Sequence, residues 1–264
     1  QGPGMFWDSV AQKMKSHGGQ LQMGCEVIRL DYRRGATAPW MVTYREAGLE
    51  KSLECETLIS SAPIRQLISG MHPAPACVSA AQKLKYRDFI TVALIVRDRK
   101  VFSDNWIYIH DPNVKVGRIQ NFKSWSPEMV PDPELNCYGL EYFCFEGDSL
   151  WESSDSALLD LAKSEIIRLG LAKMEDIQDG CVVRQHKAYP VYDHEYQNHV
   201  LAIRKDLEEN YPGLYLVGRN GMHKYNNQDH AMMTAILTVE NILAGSKKFD
   251  VWRINEDAEY HETD

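Results

Sequence analysis

Residues 213–231 read GLYLVGRNGMHKYNNQDHA, and the rest of the predicted fold is organised around this stretch. Its apolar residues 214–217 predict a short buried strand that ends at Gly218. A polar turn follows and leads into a helix near Asn227, whose start Asn226 or Asn227 can cap and whose stop is Gly245. The helix is predicted from apolar residues at three- and four-residue spacing on one face: Met232, Met233, Ile236, Val239, Ile242 and Leu243.

A glycine between a strand end and a helix start suits the binding of an anionic group. The missing Cβ lets a ligand approach the backbone, and the helix start offers unpaired N–H groups and a positive dipole end. Arg219 follows Gly218 directly and adds a cation. We therefore predict that Arg219 contacts a cofactor or substrate, with pairing to a surface carboxylate as the alternative.

The composition argues against several classes of protein. The 264 residues include 29 Lys and Arg against 37 Asp and Glu, a net charge of −8, so we expect no nucleic-acid partner. The longest apolar run, residues 89–96, is too short to span a bilayer, so we expect no membrane partner. The six cysteines lack a Cys-x-x-Cys pair or a histidine at metal spacing, which predicts reduced thiols, no metal and a cytoplasmic location.

The remaining pattern predicts an α+β fold with an inserted sheet. Residues 1–62 predict a helix, a hairpin and a strand closed by Pro63, and residues 188–246 return to the same domain through a helix and the opening stretch. Residues 63–187 predict a mainly antiparallel sheet with helices, the longest of them at 154–169. Residues 247–264 form an acidic tail that we expect to be poorly ordered or loosely packed.

Several landmarks resemble those of flavin-dependent amine oxidases and protoporphyrinogen oxidases. They are the opening Gly2-Pro3-Gly4 with Trp7 and a helix, the pair Gly18-Gly19, residues 58–63 before the first domain boundary, and the terminal strand ending at Gly218. Within that superfamily, Gly218-Arg219 with Lys224-Tyr225 is similar to the UDP-galactopyranose mutase branch. Arg118-Ile119 and Glu141-Tyr142 resemble the Arg-Val and Glu-Tyr strands of that branch.

The resemblance implies FAD as the cofactor and assigns site residues. Residues 1–62 and 188–246 would be the remaining part of the FAD-binding domain, and residues 63–187 the substrate domain. The implied cofactor-binding residues are Val27 on the adenine side, Gly218 and Arg219 at the pyrophosphate or ribityl region, and Asn227, Gln228 and Asp229 at the flavin pyrimidine edge. The implied substrate-binding residues are Arg118, Tyr189 and Tyr225, with Tyr192 as a weaker candidate.

One departure from the family pattern is large. These proteins begin with a strand, a Gly-x-Gly-x-x-Gly motif and a helix that hold the ADP half of FAD, and this sequence has no such motif. We interpret the chain, which starts at Gln1, as a fragment; a divergent protein that has lost this cofactor contact is the alternative. The 264 residues alone are therefore expected to bind FAD weakly or not at all.

The implied activity is hydride transfer from a small-molecule substrate to flavin. The alternatives are a mutase-like, non-redox reaction on a nucleotide sugar, and a non-catalytic binding protein with the same fold. The sequence identifies no catalytic residue, since a bound flavin would carry the hard step itself. Glu141 interrupts an apolar strand, and we predict that it pairs with Arg118 on a neighbouring strand, with a catalytic role as the alternative. The expected partner is a small-molecule substrate, and assembly as a homo-oligomer stays open.

Overall fold

The computed structural model describes residues 2–255, which contain both helices and mixed sheets. In chain order the elements are α1 (Gly4–Ser16), β1 (Cys25–Tyr32), β2 (Trp40–Glu46), β3 (Leu49–Cys55), β4 (Leu58–Ser60), α2 (Ile64–Ser69), β5 (Met71–His72), α3 (Val78–Lys83), β6 (Tyr86–Arg97), β7 (Trp106–Tyr108), β8 (Arg118–Asn121), α4 (Phe122–Trp125), β9 (Leu135–Cys144), α5 (Asp155–Arg168), β10 (Ile177–Pro190), α6 (Tyr196–Asn210), β11 (Leu214–Leu216), α7 (Gly218–Gly221) and α8 (Gln228–Ala244). The predicted α+β class is confirmed.

The chain divides into two compact units. Unit 1 consists of Gln1–Leu21 and Arg87–Ala188, and unit 2 of Gln22–Tyr86 and Tyr189–Asp264. The boundaries predicted near Pro63 and Lys187 concern a cofactor domain and a substrate domain, and they stay predictions. Among the helices of residues 2–255, none combines the length and the apolar run needed to cross a bilayer.

Unit 1 is built on a five-stranded sheet in the order β10-β6-β9-β8-β7. Strand β6 alternates buried and more exposed residues, as expected when one sheet face forms a core. The buried face of β6 and β9 packs in one apolar cluster with Leu158 and Ile166 of α5. Helix α5 starts where the Ser154 side chain accepts a hydrogen bond from the Ala157 amide, and the chain turns away at Gly170, whose φ is +71°.

Unit 2 contains a four-stranded sheet, β3-β2-β1-β5, and a two-stranded parallel sheet, β11-β4. Its core joins Leu30 and Trp40 of the first sheet to Ile203 and Leu207 of α6. Gly213 turns the chain into β11 with a φ of +85°, at a point where a Cβ would lie 2.7 Å from the Glu56 carbonyl oxygen. A side chain is therefore excluded at this turn by both conformation and space.

Helix α8 has its predicted start and stop but an unexpected orientation. Asn227 caps its first turn, and Gly245 ends it in the left-handed conformation. Its buried residues are Thr234 and Thr238, whereas four large apolar side chains of the predicted face are exposed: Met233, Ile236, Val239 and Leu243. The apolar spacing thus identified the helix correctly, but most of that face does not enter the core of the described residues.

The acidic tail differs from its prediction over residues 247–255. The Asn241 side chain accepts hydrogen bonds from the amides of Lys248 and Phe249, and Asp250 pairs with Arg204. The side chain of Trp252 packs under the Arg204 guanidinium at 5.3 Å. Arg204, Asn241, Phe249 and Trp252 line a cavity of about 500 Å³ beside β11, so this part of the tail packs against unit 2. The rest of the predicted tail, residues 256–264, lies outside the described residues.

Candidate functional site

The candidate site is the turn between β11 and α8 in unit 2. Strand β11 pairs in parallel with β4, and the Val217 amide extends the pairing to the Ser60 carbonyl at 3.0 Å. Gly218 then takes a φ of +74°, and its amide donates to the Thr234 hydroxyl at 2.9 Å. Three residues on, a Cβ at Gly221 would lie 2.6 Å from the Ser60 carbonyl oxygen. The glycines therefore allow the turn to lie directly against β4 and α8.

Arg219 is held in this turn by a backbone carbonyl group and by two aromatic rings. Its Nε donates to the Asn226 carbonyl at 2.8 Å. The guanidinium carbon lies 4.9 Å from the centre of the Tyr189 ring and 5.0 Å from that of Tyr225. The two rings are nearly parallel, at 18°, with centres 5.8 Å apart. We call Arg219, Tyr189 and Tyr225 the arginine-tyrosine cluster, in which a delocalised cation contacts two π faces.

Tyr192 contacts this cluster through the backbone of Tyr225. Its hydroxyl accepts a hydrogen bond from the Tyr225 amide at 2.6 Å, and its ring stacks on Tyr196 with centres 4.2 Å apart. Burial raises the pKa of the Tyr192 hydroxyl, with hydrogen bonding from the Tyr225 amide acting in the opposite direction. Tyr192 and Tyr196 thus pack with each other, while Tyr189 stacks on Tyr225.

Asn226 is a buried amide that sequence reasoning considered only as a helix cap. The residue is 1% exposed, and neither its side-chain oxygen nor its side-chain nitrogen has a hydrogen-bond partner among the described residues. The capping role belongs to Asn227, which exchanges hydrogen bonds with His230 in a capping box. An unsatisfied buried amide costs about 1–3 kcal/mol, so a polar atom from a ligand or water would stabilise this turn.

His223 lies in the same turn and is buried, with a φ of +47°. Its Nε2 is 3.3 Å from the Val191 carbonyl, and its ring meets the edge of Tyr86 at a centre distance of 4.9 Å. Burial lowers the pKa of His223, and this outweighs the opposing effects of the Val191 carbonyl and of Asp193. The imidazole is therefore kept neutral at pH 7.

The lowered pKa of His223 predicts a loss of stability in mild acid. The unfolded chain takes up a proton near the ordinary pKa of about 6.5, whereas the folded chain does so only at lower pH. The neutral imidazole therefore contributes its full stabilisation above about pH 6.5. The free energy of unfolding decreases as the pH falls from about 6.5 towards the lower pKa of the folded chain, by at most about 1.4 kcal/mol per pH unit. Urea unfolding at pH 7.5 and at pH 5.5 measures this loss.

The variant His223→Asn isolates the effect, because asparagine tolerates a positive φ but does not titrate. It should reduce the change in unfolding free energy between pH 7.5 and 5.5, whatever its effect on stability at pH 7.5. His194→Asn, at an exposed histidine nearby in the sequence, should keep the wild-type pH dependence. Equal pH dependence in wild type and His223→Asn would contradict the prediction.

Arg118 lies in unit 1, where it forms the predicted ion pair. Its Nε donates to Oε2 of Glu141, directly opposite it on β9. Glu141 is 5% exposed, and its carboxylate also accepts a hydrogen bond from the Gln120 side chain at 3.1 Å. This arrangement compensates a buried negative charge with a cation and an amide.

Most, but not all, of the predicted site residues lie at this turn or at the start of α8. Gly218 and Arg219 form the turn with Tyr225, while Asn227, Gln228 and Asp229 follow at the start of α8, where Asn227 is the cap. Tyr189 joins the cluster from the end of β10. Val27 lies in a different sheet of unit 2, on an exposed part of β1, and Arg118 belongs to unit 1. The binding roles of all these residues stay predictions.

Comparison with known proteins finds matches by structure but none by sequence search. No protein-family model matches the chain, and no curated protein matches it. A crystal structure of reduced UDP-galactopyranose mutase matches with a TM-score of 0.80 and 19% identity, over 97% of this chain and 54% of that one. A protoporphyrinogen oxidase, so described provisionally, from Exiguobacterium sp. 255-15 matches with a TM-score of 0.64 and 12% identity, over 88% and 50%.

A third match is a fatty acid isomerase from P. acnes that produces CLA, with a TM-score of 0.51 and 11% identity, over 81% of this chain and 47% of that one. The chain spans about half the length of these solved structures. The resemblance found in the sequence is thus confirmed at the level of the fold: the chain shares the amine-oxidase-type fold of the mutase and the protoporphyrinogen oxidase-like protein.

Proposed function

We propose that this chain is part of an FAD-dependent oxidoreductase of the amine oxidase superfamily and supplies the flavin-edge side of its cofactor site. The observation that carries the proposal is the arginine-tyrosine cluster at the glycine turn, beside the unsatisfied amide of Asn226. A cation, aromatic faces and an amide in need of a partner together fit a ligand that is anionic and aromatic. FAD has both properties.

The residues have separable roles in holding such a cofactor. Arg219 would bind the anionic part, Asn226 would exchange hydrogen bonds with a polar edge, and the start of α8 would favour negative charge. Tyr189 and Tyr225 would form an apolar wall that excludes water. When bound, FAD would accept a hydride from a carbon of a small-molecule substrate.

The exposed face of α8 supports a further segment in the complete site. We infer that a strand–Gly-x-Gly-x-x-Gly–helix segment, which these 264 residues lack, packs near Met233, Ile236, Val239 and Leu243 and extends the β11-β4 sheet. A parallel sheet of two strands is small and normally needs cover on both faces. The large share of each matched structure without a counterpart in this chain is consistent with such a segment.

FAD titration followed by flavin fluorescence tests the proposal. We expect weak binding to the 264-residue chain, with a Kd above about 10 µM, and tighter binding when a separately produced strand–Gly-x-Gly-x-x-Gly–helix segment is added. Arg219→Ala should weaken binding about tenfold or more, because it removes a charge-assisted contact. The control Arg33→Ala removes an exposed arginine paired with Glu54 in the same unit and should have no effect.

FAD that binds neither the chain alone nor the chain with that segment would contradict the proposal and favour the non-catalytic alternative. A second candidate is a mutase-like reaction on a nucleotide sugar. It is favoured by the higher TM-score of the mutase match and by Arg219, a cation suited to a diphosphate. Binding of UDP-sugars to the reduced holoenzyme would support the mutase, whereas oxygen consumption with an amine or porphyrinogen would support the oxidoreductase.

A further inference from the structure

Two tryptophans of unit 1 lie exposed on the sheet face opposite α5. Trp106 on β7 is 40% exposed, and Trp125 at the end of α4 is 49% exposed. Their rings stack at 18° with centres 5.2 Å apart. Large exposed aromatic side chains that also have a fixed arrangement are typical of binding surfaces.

The strand register places polar groups beside these rings. Trp106 is paired with Gln120 across β7 and β8, and Tyr108 with Arg118, so all four side chains share one face. Ile107 and Ile119 alternate with them and pack with the core. We call Trp106, Tyr108, Arg118, Gln120 and Trp125 the tryptophan strip.

Gln120 fixes the geometry of the strip. Its Oε1 accepts a hydrogen bond from the Trp125 indole at 2.9 Å, and its Nε2 donates to Glu141 at 3.1 Å. An amide oxygen has a second lone pair and an amide nitrogen a second hydrogen, so Gln120 can both donate to and accept from a ligand. At the far end, the exposed Tyr108 ring lies 5.9 Å from the Arg118 guanidinium.

We propose that the tryptophan strip binds a pyranose ring. The π face of an indole carries partial negative charge, and the C–H groups on one face of a pyranose are weakly positive and apolar. The ring hydroxyls both donate and accept hydrogen bonds, as does Gln120. Rigid aromatic rings next to satisfied polar groups lose little conformational entropy on binding.

This site is separate from the flavin proposal, because it consists of unit 1 residues alone and needs neither flavin nor nucleotide. It is tested on the 264-residue chain with the methyl glycosides of glucose, galactose and mannose, by saturation-transfer NMR and tryptophan fluorescence. We expect at least one glycoside to bind with a Kd of about 1–10 mM. Trp125→Ala should weaken this binding at least about tenfold.

Two further variants make the result specific. Trp7→Ala removes a tryptophan of similar exposure on α1 of the same unit and should leave binding unchanged. Gln120→Leu keeps both indoles but removes the amide and should also weaken binding, which tests the strip even if Trp125→Ala fails to fold. Far-UV circular dichroism verifies the fold of each variant.

Three outcomes would overturn the proposal. The first is that none of the three glycosides binds the wild-type chain. The second is that a folded Trp125→Ala or Gln120→Leu binds them as the wild type does. The third is that uridine binds at the tryptophans while the glycosides do not, which would make the strip a platform for a nucleobase.

Discussion

Replacing Arg118 by leucine should lower the free energy of unfolding by about 3–5 kcal/mol, because it leaves a buried carboxylate without its cation. Glu141 is almost inaccessible to water and sits in the middle of β9, where neighbouring strands prevent it from turning outward. Gln120 still donates one hydrogen bond to it, but a neutral amide does not balance a charge. Urea unfolding followed by far-UV circular dichroism measures the loss.

A double variant separates the ion pair from simple loss of packing. Arg118→Leu combined with Glu141→Leu should be more stable than Arg118→Leu alone, since no buried charge remains. Arg168→Leu, at an exposed arginine on α5, should change the unfolding free energy by no more than about 0.5 kcal/mol. If Arg118→Leu is as stable as the wild type, Glu141 is not held by this pair.

Replacing Glu165 by alanine should destabilise unit 1 by a similar amount. The Glu165 carboxylate accepts hydrogen bonds from the Lys115 amide at 2.6 Å, the Val116 amide at 3.1 Å and the Tyr142 hydroxyl at 3.0 Å. Val116 and Tyr142 are buried, so two donors would lose their partner out of reach of water. At about 1–3 kcal/mol for each donor, the expected cost is about 2–6 kcal/mol.

Glu165→Gln should fall between the wild type and Glu165→Ala, because its amide oxygen still accepts while its NH₂ group faces a donor. Burial, followed by the neighbouring charge of Glu165, raises the pKa of Tyr142 and keeps its hydroxyl protonated as a donor. Asp160→Ala, at an exposed position of the same helix, is the matched control. Thermal unfolding of the four proteins should rank them accordingly, and equal midpoints for Glu165→Ala and Asp160→Ala would disprove this role.

Local pattern was sufficient to predict most elements. The helix predicted at residues 154–169 follows from side-chain period, and α5 appears there as expected, with Ser154 as its cap and Gly170 beyond its end. Helix α8 illustrates the limit of such reasoning. Spacing determines which residues share a face, but what covers that face depends on the rest of the protein, and here most of it is exposed while Thr234 is buried.

The site was predictable where it is local in sequence. Gly218, Arg219 and the Asn227 cap follow from a strand, a glycine and a helix in succession. The stacking of Tyr189 on Tyr225 depends on tertiary folding, because the two residues lie on separate elements. Asn226 gave no signal of burial, since asparagine in a polar turn is usually solvated. The exposed positions of Trp106 and Trp125 were not predictable, because they depend on strand register and tertiary packing.

The path of the chain through unit 2 has a consequence for its synthesis. The polypeptide leaves this unit at Tyr86 and returns at Tyr189, so its core cannot close until the intervening residues have been made. Closing a loop of about 100 residues costs about 4 kcal/mol of chain entropy, and ribosomes need about 5–20 s to produce it. During this interval the side chains of Leu30 and Trp40 lack their packing partners Ile203 and Leu207. The nascent sheet therefore exposes an apolar surface to which chaperones can bind.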